Sequence, residues 1–416
     1  MREPMLSVEE AQERVLSVFQ PLPAERVDIL AAVGRVLASD VYAADSLPPH
    51  ANSAMDGYAV RAEETARAAP GSPPRFRIVG DLPAGAAPRQ EVTPGTAIRI
   101  MTGAPLPPGA DAVVKVEDTQ QEHGYVHVFV PVEPGNYVRP AGEDVPAGTL
   151  ALERGTALRP QEIGMLAALG HSQVPVSRKP RVAILATGDE LISVDEPLIP
   201  GKIRNSNSYS NAAQVIQYGG EPVLLGIARD TTAALTARLR AGLQEDVDLV
   251  LTSGGVSVGD FDLVKDVLAS EGEMDFWRVR MKPGKPLAFG HLRTTPSQGS
   301  RARPVPVLGL PGNPVSVMVS FEIFVRPVLL KLQGARDWER PPLEATLMDA
   351  IPHKDDRRHF LRVRLIWQAG EYRAYLTGAQ GSGVLSSMVK ANALAIIPED
   401  WDHAPAGARV RVIRLD

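Results

Sequence analysis

Three short tracts combine small residues, hydroxyls and acids: Thr187-Gly188-Asp189-Glu190, Ser253-Gly254-Gly255-Val256-Ser257-Val258-Gly259-Asp260, and Pro311-Gly312-Asn313-Pro314. Glycines let backbone N–H groups approach an anion closely. Pro314 suits the first position of a helix and Asn313 its N-cap, so that helix would point its positive end at the same anion. One such tract alone would read as an ordinary strand-to-helix turn; three together suit a phosphorylated ligand. Acids accompany them: Glu190, Asp230, Asp260 and Asp262. Carboxylates on one edge repel unless a cation stands between them, and oxygen-only ligands suit a hard divalent ion such as Mg2+. Glu190, Asp230 and Asp262 are therefore the metal-ligand candidates, although Asp230 and Asp262 would also serve as helix caps. Arg278, Lys282 and Lys285 supply positive charge in Trp277-Arg278-Val279-Arg280-Met281-Lys282-Pro283-Gly284-Lys285-Pro286, which holds two of the nine lysines. A proline-stiffened cationic loop suits charge neutralisation of phosphate.

Other chemistries are excluded by what is missing. The chain has no cysteine, so disulfides, thiolate metal sites and cysteine nucleophiles are ruled out. The eight histidines form no HExxH pattern, which argues against zinc. No GxGxxG or Walker motif occurs, and the serines near glycine suit oxyanion binding better than attack on a carbonyl.

Elements must bring these tracts together. The apolar runs 182–186, 223–227, 249–252 and 305–310 alternate with helical patterns at 208–218, 231–244, 261–270 and 314–332. That alternation predicts a parallel α/β sheet covered on both faces. Loops leaving the C-terminal ends of its strands share one edge, where open α/β sheets bind ligands. Upstream, Ser7-x-x-Glu10 is a capping box opening a helix over 7–19, and a second helix is predicted over 24–38. From 48 to 143 short strands and turns predict an all-β module. Residues 144–177 mix helix and loop, with a helical patch at 160–169. The C-terminal stretch predicts a hairpin (360–367 and 372–377) and a final strand at 409–415.

Length and charge agree with this layout. At 416 residues the chain holds two to four domains at about 150 residues each. Net charge is −5 without a clustered basic excess, which argues against nucleic acid as a partner. The uncharged window 304–321 contains four prolines and two glycines, so it is no membrane span; a cytoplasmic protein, off the membrane, is the expectation.

In Ser53-Ala54-Met55-Asp56-Gly57-Tyr58-Ala59, Met101-Thr102-Gly103-Ala104-Pro105, Gly142-Glu143-Asp144, Thr187-Gly188-Asp189-Glu190-Leu191, Gly201-Lys202-Ile203-Arg204-Asn205-Ser206-Asn207, Ser253 to Gly259, Lys282-Pro283-Gly284-Lys285-Pro286, Pro311-Gly312-Asn313-Pro314 and Gln380-Gly381-Ser382-Gly383, the chain resembles the molybdopterin molybdenumtransferases, the MoeA and gephyrin E-domain family. The likeness runs over nearly the whole chain. It implies a multidomain α/β plus β fold: a discontinuous helical linker domain (1–47 and 144–177), an inserted β domain (48–143), an α/β molybdopterin-binding domain with a parallel sheet (178–332) and a C-terminal β-barrel-like domain (333–416). It implies insertion of molybdate into adenylyl-molybdopterin, with Mg2+, releasing AMP. A homodimer is implied, with Asp56, Thr102 and Asp144 entering the cleft from the partner subunit. The residues carried over as catalytic are these three with Glu190, Asp230, Asp262, Arg278 and Lys282. Ligand binding falls to Thr187, Gly188, Ser253, Gly254, Gly255, Ser257, Gly259, Lys282, Lys285, Pro311, Gly312, Asn313, Arg357 and Ser382. Asp-Asp-Arg-Arg at 355–358 lacks the glycine that often precedes the family arginine, which leaves Arg357 and Arg358 as alternatives; Asp260 and Asp262 are alternatives for the metal. Other proteins of cofactor biosynthesis or molybdoenzyme maturation are implied as partners. The two competing functions are a molybdopterin adenylyltransferase, whose α/β unit is similar, and a non-enzymatic scaffold of the gephyrin type.

Overall fold

The computed structural model describes residues 5–254, 263–293, 304–341, 343–352 and 355–415. At its centre lies a six-stranded sheet in the order Glu221–Ala228, Arg181–Thr187, Leu249–Ser253, Val305–Leu310, Pro286–Leu292, Gly272–Arg278. The first four strands are parallel, as their unbroken apolar runs predict. The last two are antiparallel additions, so the sheet is mixed rather than parallel throughout. Their residues alternate polar with apolar or carry glycine and histidine, which hid them among the loops. The antiparallel step has a consequence for chemistry. It turns the hairpin loop 279–285 back to the rim where the parallel strands end, because Pro286 lies at the Gly309 end of Val305–Leu310.

Helices cover both faces. Thr232–Leu243 and Leu263–Glu271 lie on one, above a core of Leu185, Leu235, Leu239, Val250 and Val307. Asn207–Gln217 and the stretch from Pro314 to Leu332 lie on the other. That stretch, expected as one helix, is an α-helix Pro314–Ser320, a π-turn Phe321–Val325 and an α-helix Arg326–Leu332. Pro327 has no N–H for the carbonyl of Ile323 and would crowd it in a regular helix. Gln12 Nε2 donates to that freed oxygen at 2.8 Å. Gln12 belongs to the N-terminal helix Val8–Ser17, whose capping box closes as predicted, Ser7 N–H to Glu10 at 2.7 Å and Glu10 N–H to Ser7 at 3.1 Å. This helix buries Val8, Ala11, Val15 and Leu16 in the α/β core itself.

The helix expected over 24–38 is absent. Ala24–Asp28 is a strand paired antiparallel with Gln173–Ser177, and turns follow it. Pairing with a distant strand overrides the helix-favouring Ala, Glu and Arg of this segment. The helix Pro160–Ala168 does form, so the region between the β unit and the α/β unit is helical only in part. The β unit has six strands in the order Ala112–Lys115, Gly57–Val60, Thr96–Ile100, Arg75–Leu82, Tyr125–Val128, Thr119–Glu122.

The C-terminal strands close on themselves. Arg358–Gln368 pairs with Glu371–Leu376 and with Ala393–Ile397; Arg409–Arg414 joins Ala393–Ile397 to Leu343–Leu347, which returns to Glu371–Leu376. The result is a five-stranded barrel around Leu361, Val363, Ala395 and Val412. Met281–Lys282 runs beside Arg358 and His359, which stitches the hairpin loop of the α/β unit to the barrel.

Candidate active site at the rim of the α/β sheet

The ends of three parallel strands meet. Gly254 has φ of +95°, a conformation open to glycine, and a side chain there would sit 2.9 Å from the carbonyl oxygen of Thr187. Its N–H donates to Leu310 O at 3.2 Å. A Cβ on Gly312 would stand 3.5 Å from Gly254 Cα. Thr187, Gly188, Ser253, Gly254, Pro311 and Gly312 therefore form one floor, as their positions after consecutive strands predict. Ser253 Oγ is buried without a hydrogen-bond partner. Asn207, at the start of the helix Asn207–Gln217, donates to Gly312 O at 2.8 Å while its own buried carbonyl oxygen has no partner.

Acids line the outer edge of this floor. Gly188 (φ +145°, a conformation that favours glycine) has the Glu190 carboxylate folded over the place a Cβ would take. Asp189 and Asp230 bracket each other: each N–H donates to the other's carboxylate at 3.2 Å. Lys202 Nζ bonds the carbonyl of Asp189. The two carboxylates are thereby held close, with Glu190 exposed alongside, a placement that raises local negative potential. Asp189 and Lys202 are functional candidates that spacing did not single out, although both lie inside the recognised blocks. Among the described residues no three acidic or histidine side chains gather within reach of one metal ion. Asp262, together with Gly255, Ser257, Gly259 and Asp260, lies outside the described residues.

Cations come from the other side. Val279 N–H donates to Lys285 O at 2.8 Å and closes the hairpin loop. Arg278 ends the strand before it, half-buried, its carbonyl accepting from Leu6 N–H at 2.8 Å. Lys282, half exposed, reaches across to Asp355 Oδ2 at 3.3 Å. Arg357 grips the same carboxylate through Nε at 3.1 Å and Nη2 at 2.8 Å, and the buried His359 adds Nε2 at 3.1 Å. Arg358 faces elsewhere, to Glu9 and Glu399, so of the two it is Arg357 that shares Asp355 with Lys282. Burial alone would raise the Asp355 pKa. The hydrogen bonds of Arg357 and His359, with the charge of Arg357, outweigh it and hold the carboxyl well below the usual range.

The barrel contributes a loop as well. Ser382 O accepts the N–H of Val315 at 3.0 Å. Asn313 stands at the N-cap of Pro314–Ser320 but its side chain makes no capping bond there, so this helix end is met by the Ser382 backbone instead. Arg362, fully buried, ties the loop down through Gly381 O and Ser387 Oγ, both at 3.1 Å. Burial pushes the pKa of its guanidinium down to about 10.

Asp56 and Thr102 form a second locus, within the β unit. Thr102 donates to Asp56 Oδ1 from its N–H at 2.7 Å and its hydroxyl at 2.8 Å, and these bonds keep the carboxyl below its ordinary pKa. Asp144 is exposed at the edge of that unit, its N–H bonded to Leu47 O at 3.0 Å. The hydrogen bonds of these residues run to their own neighbourhood rather than to the α/β rim.

Known proteins are similar to this chain over nearly its whole length. The family description "MoeA N-terminal region (domain I and II)" matches residues 6–170, "Probable molybdopterin binding domain" residues 183–331, and "MoeA C-terminal region (domain IV)" residues 344–415. A protein named molybdopterin molybdenumtransferase 2 from Mycobacterium tuberculosis is 40% identical over 98% of this chain and 99% of its own length. A molybdopterin molybdenumtransferase from Nostoc is 39% identical over 99% of this chain and 94% of its own. The crystal structure of the molybdopterin biosynthesis MoeA protein of Pyrococcus horikoshii superposes with a TM-score of 0.84 at 34% identity, covering 98% of this chain and 99% of that one. Among the described residues no helix is long and apolar enough to cross a membrane.

Proposed function

This chain belongs to the MoeA family of molybdopterin molybdenumtransferases, and we propose that it inserts molybdate into adenylyl-molybdopterin, releasing AMP and forming molybdenum cofactor. The observation that carries this reading is the meeting of Thr187, Gly254 and Gly312 on one floor, with acids on one side and Lys282 and Arg357 on the other. The substrate has both characters these walls would sort: a diphosphate and an incoming oxyanion.

In this reading the glycine floor holds the phosphates through backbone N–H groups, and Lys285 and Arg278 add positive charge. Lys282, Arg357 and Ser382 receive molybdate. Glu190 and Asp230, on two loops of one rim with Asp189 between them, are the proposed ligands of a hard cation, since like charges there need a counter-ion; the described residues do not by themselves gather three ligands, and Asp262, outside them, completes the proposed set. Mg2+, when bound there, supplies charge neutralisation at the diphosphate. Glu190 and Asp230 orient the nucleotide end, and Lys282 stabilises negative charge where the oxyanion meets the pterin. Asp56, Thr102 and Asp144 of the partner subunit complete the cleft in a homodimer. Other proteins that make or receive the cofactor are the expected partners, in the cytoplasm.

The test is direct. Purified protein with Mg2+, molybdate and adenylyl-molybdopterin should release AMP and yield cofactor that activates a molybdenum-free apoenzyme. No AMP from intact substrate and folded protein overturns the reading. Light scattering should give twice the monomer mass; a monomer removes the shared cleft.

A further inference from the structure

Asp355 is the carboxylate that touches both cations of the proposed oxyanion site, and the sequence assigned it no role of its own. Lys282 comes from the hairpin loop of the α/β unit and Arg357 from the entry to the barrel. Asp355 Oδ2 takes Lys282 Nζ at 3.3 Å and Arg357 Nη2 at 2.8 Å, while Oδ1 takes Arg357 Nε at 3.1 Å and the Arg357 N–H at 3.2 Å. His359 Nε2, 3.1 Å from Oδ1, holds the carboxylate from the buried side. The other side is open: the Lys282 side chain is 48% exposed and that of Asp355 29%. An arginine that offers two adjacent N–H groups to a carboxylate offers the same fork to any planar or tetrahedral oxyanion.

We infer that Asp355 is a positioning residue: it draws Lys282 and Arg357 into one cationic fork at the seam between sheet and barrel, and cedes the fork to the incoming oxyanion. The inference rests on the reading above for the identity of that anion. Without the carboxylate two cations from different units would repel, so the fork loses its register. The site also loses a negative charge that competes with the oxyanion. The two losses act in opposite directions, which separates a positioning role from a merely structural one.

The experiment measures molybdate binding by calorimetry on the full chain, without pterin, beside AMP release under saturating molybdate. In Asp355→Asn, which keeps the shape and drops the charge, molybdate should bind about tenfold tighter while kcat falls about tenfold. Asp355→Glu, which restores the charge, should return the affinity to that of wild type. Unchanged or weaker binding in a folded Asp355→Asn protein overturns the inference, as does a parallel fall in both quantities. Should Asp355→Asn fail to fold, His359→Gln decides. It loosens the carboxylate from behind and should tighten binding in the same direction by a smaller factor, and no tightening there overturns the inference. Wild-type protein that binds no molybdate also overturns it. Wild-type protein that binds molybdate yet releases no AMP overturns the proposed activity, and the variant ratios still judge Asp355.

Discussion

Two carboxylates in this molecule are each gripped by several cationic or hydrogen-bonding partners, and they sit in opposite settings. Glu322, on the π-turn, accepts from Tyr218 Oη at 2.6 Å and Arg340 Nη2 at 3.1 Å, with Gln214 Nε2 at 3.4 Å. Arg340 also bonds Tyr218 Oη at 2.8 Å, and Arg326 lies 5.4 Å over the Tyr218 ring. The Glu322 side chain is 4% exposed. Asp355 has a comparable set of partners in Lys282, Arg357 and His359, but one side of that set faces solvent. The same ion-pair chemistry thus gives a strut where it closes on itself and a site where a ligand can take a place in it. Number of partners does not distinguish the two; access does.

The comparison is most exposed at Glu322. Glu322→Ala leaves the half-buried Tyr218 hydroxyl without its acceptor and Arg340 with only the Tyr218 oxygen, and breaking such a pair costs about 3–5 kcal/mol. Thermal unfolding should shift down steeply while the folded fraction keeps its kcat. A variant that keeps its melting temperature but loses turnover would make the Glu322 cluster part of the site and dissolve the contrast.

The converse variant is Lys282→Ala. Its side chain is half exposed, so stability should barely change. Losing a charge aimed at the reacting anion should lower kcat by about a hundredfold. Circular dichroism and calorimetric melting, beside AMP release, separate these outcomes. A large loss of stability with normal turnover would class the Asp355 cluster as a second strut.

How much of this was legible follows from the range of each interaction. The rim was legible because glycine tracts placed after apolar runs have one geometric outcome in a parallel sheet, and Thr187, Gly254 and Gly312 meet as that rule requires. The capping box at Ser7 and Glu10 was legible because both partners lie three residues apart. The strand Ala24–Asp28 was not, since its partner Gln173–Ser177 is far along the chain and its own residues favour helix. The antiparallel pair Gly272–Arg278 and Pro286–Leu292 escaped because the first alternates polar with apolar and the second opens on proline and carries glycine and histidine. Asp355 escaped for a related reason: its meaning depends on Lys282, brought to it by the pairing of Met281–Lys282 with the barrel. The break at Phe321–Val325 was written in Pro327, but the rescue of the freed carbonyl by Gln12 was not.

A third carboxylate calibrates the contrast with a smaller effect. Glu162 is buried like Glu322, yet its partner Arg159 is 67% exposed. Hydrogen bonds from the Arg159 side chain, at 2.7 and 3.1 Å, and from its N–H, at 2.8 Å, outweigh burial and hold Glu162 at about 2, against an ordinary 4.5. A carboxyl depressed in the folded state stabilises the protein above its unfolded pKa, and that share disappears as pH falls through the folded value. Glu162→Gln should therefore cost on the order of 1 kcal/mol at neutral pH, as lost helix caps do. The gap from wild type should close between pH 4.5 and pH 2, where wild type surrenders the same contribution. Chemical denaturation across that window measures it. A gap that stayed constant down to pH 2 would show that packing, not charge, holds Glu162 in place.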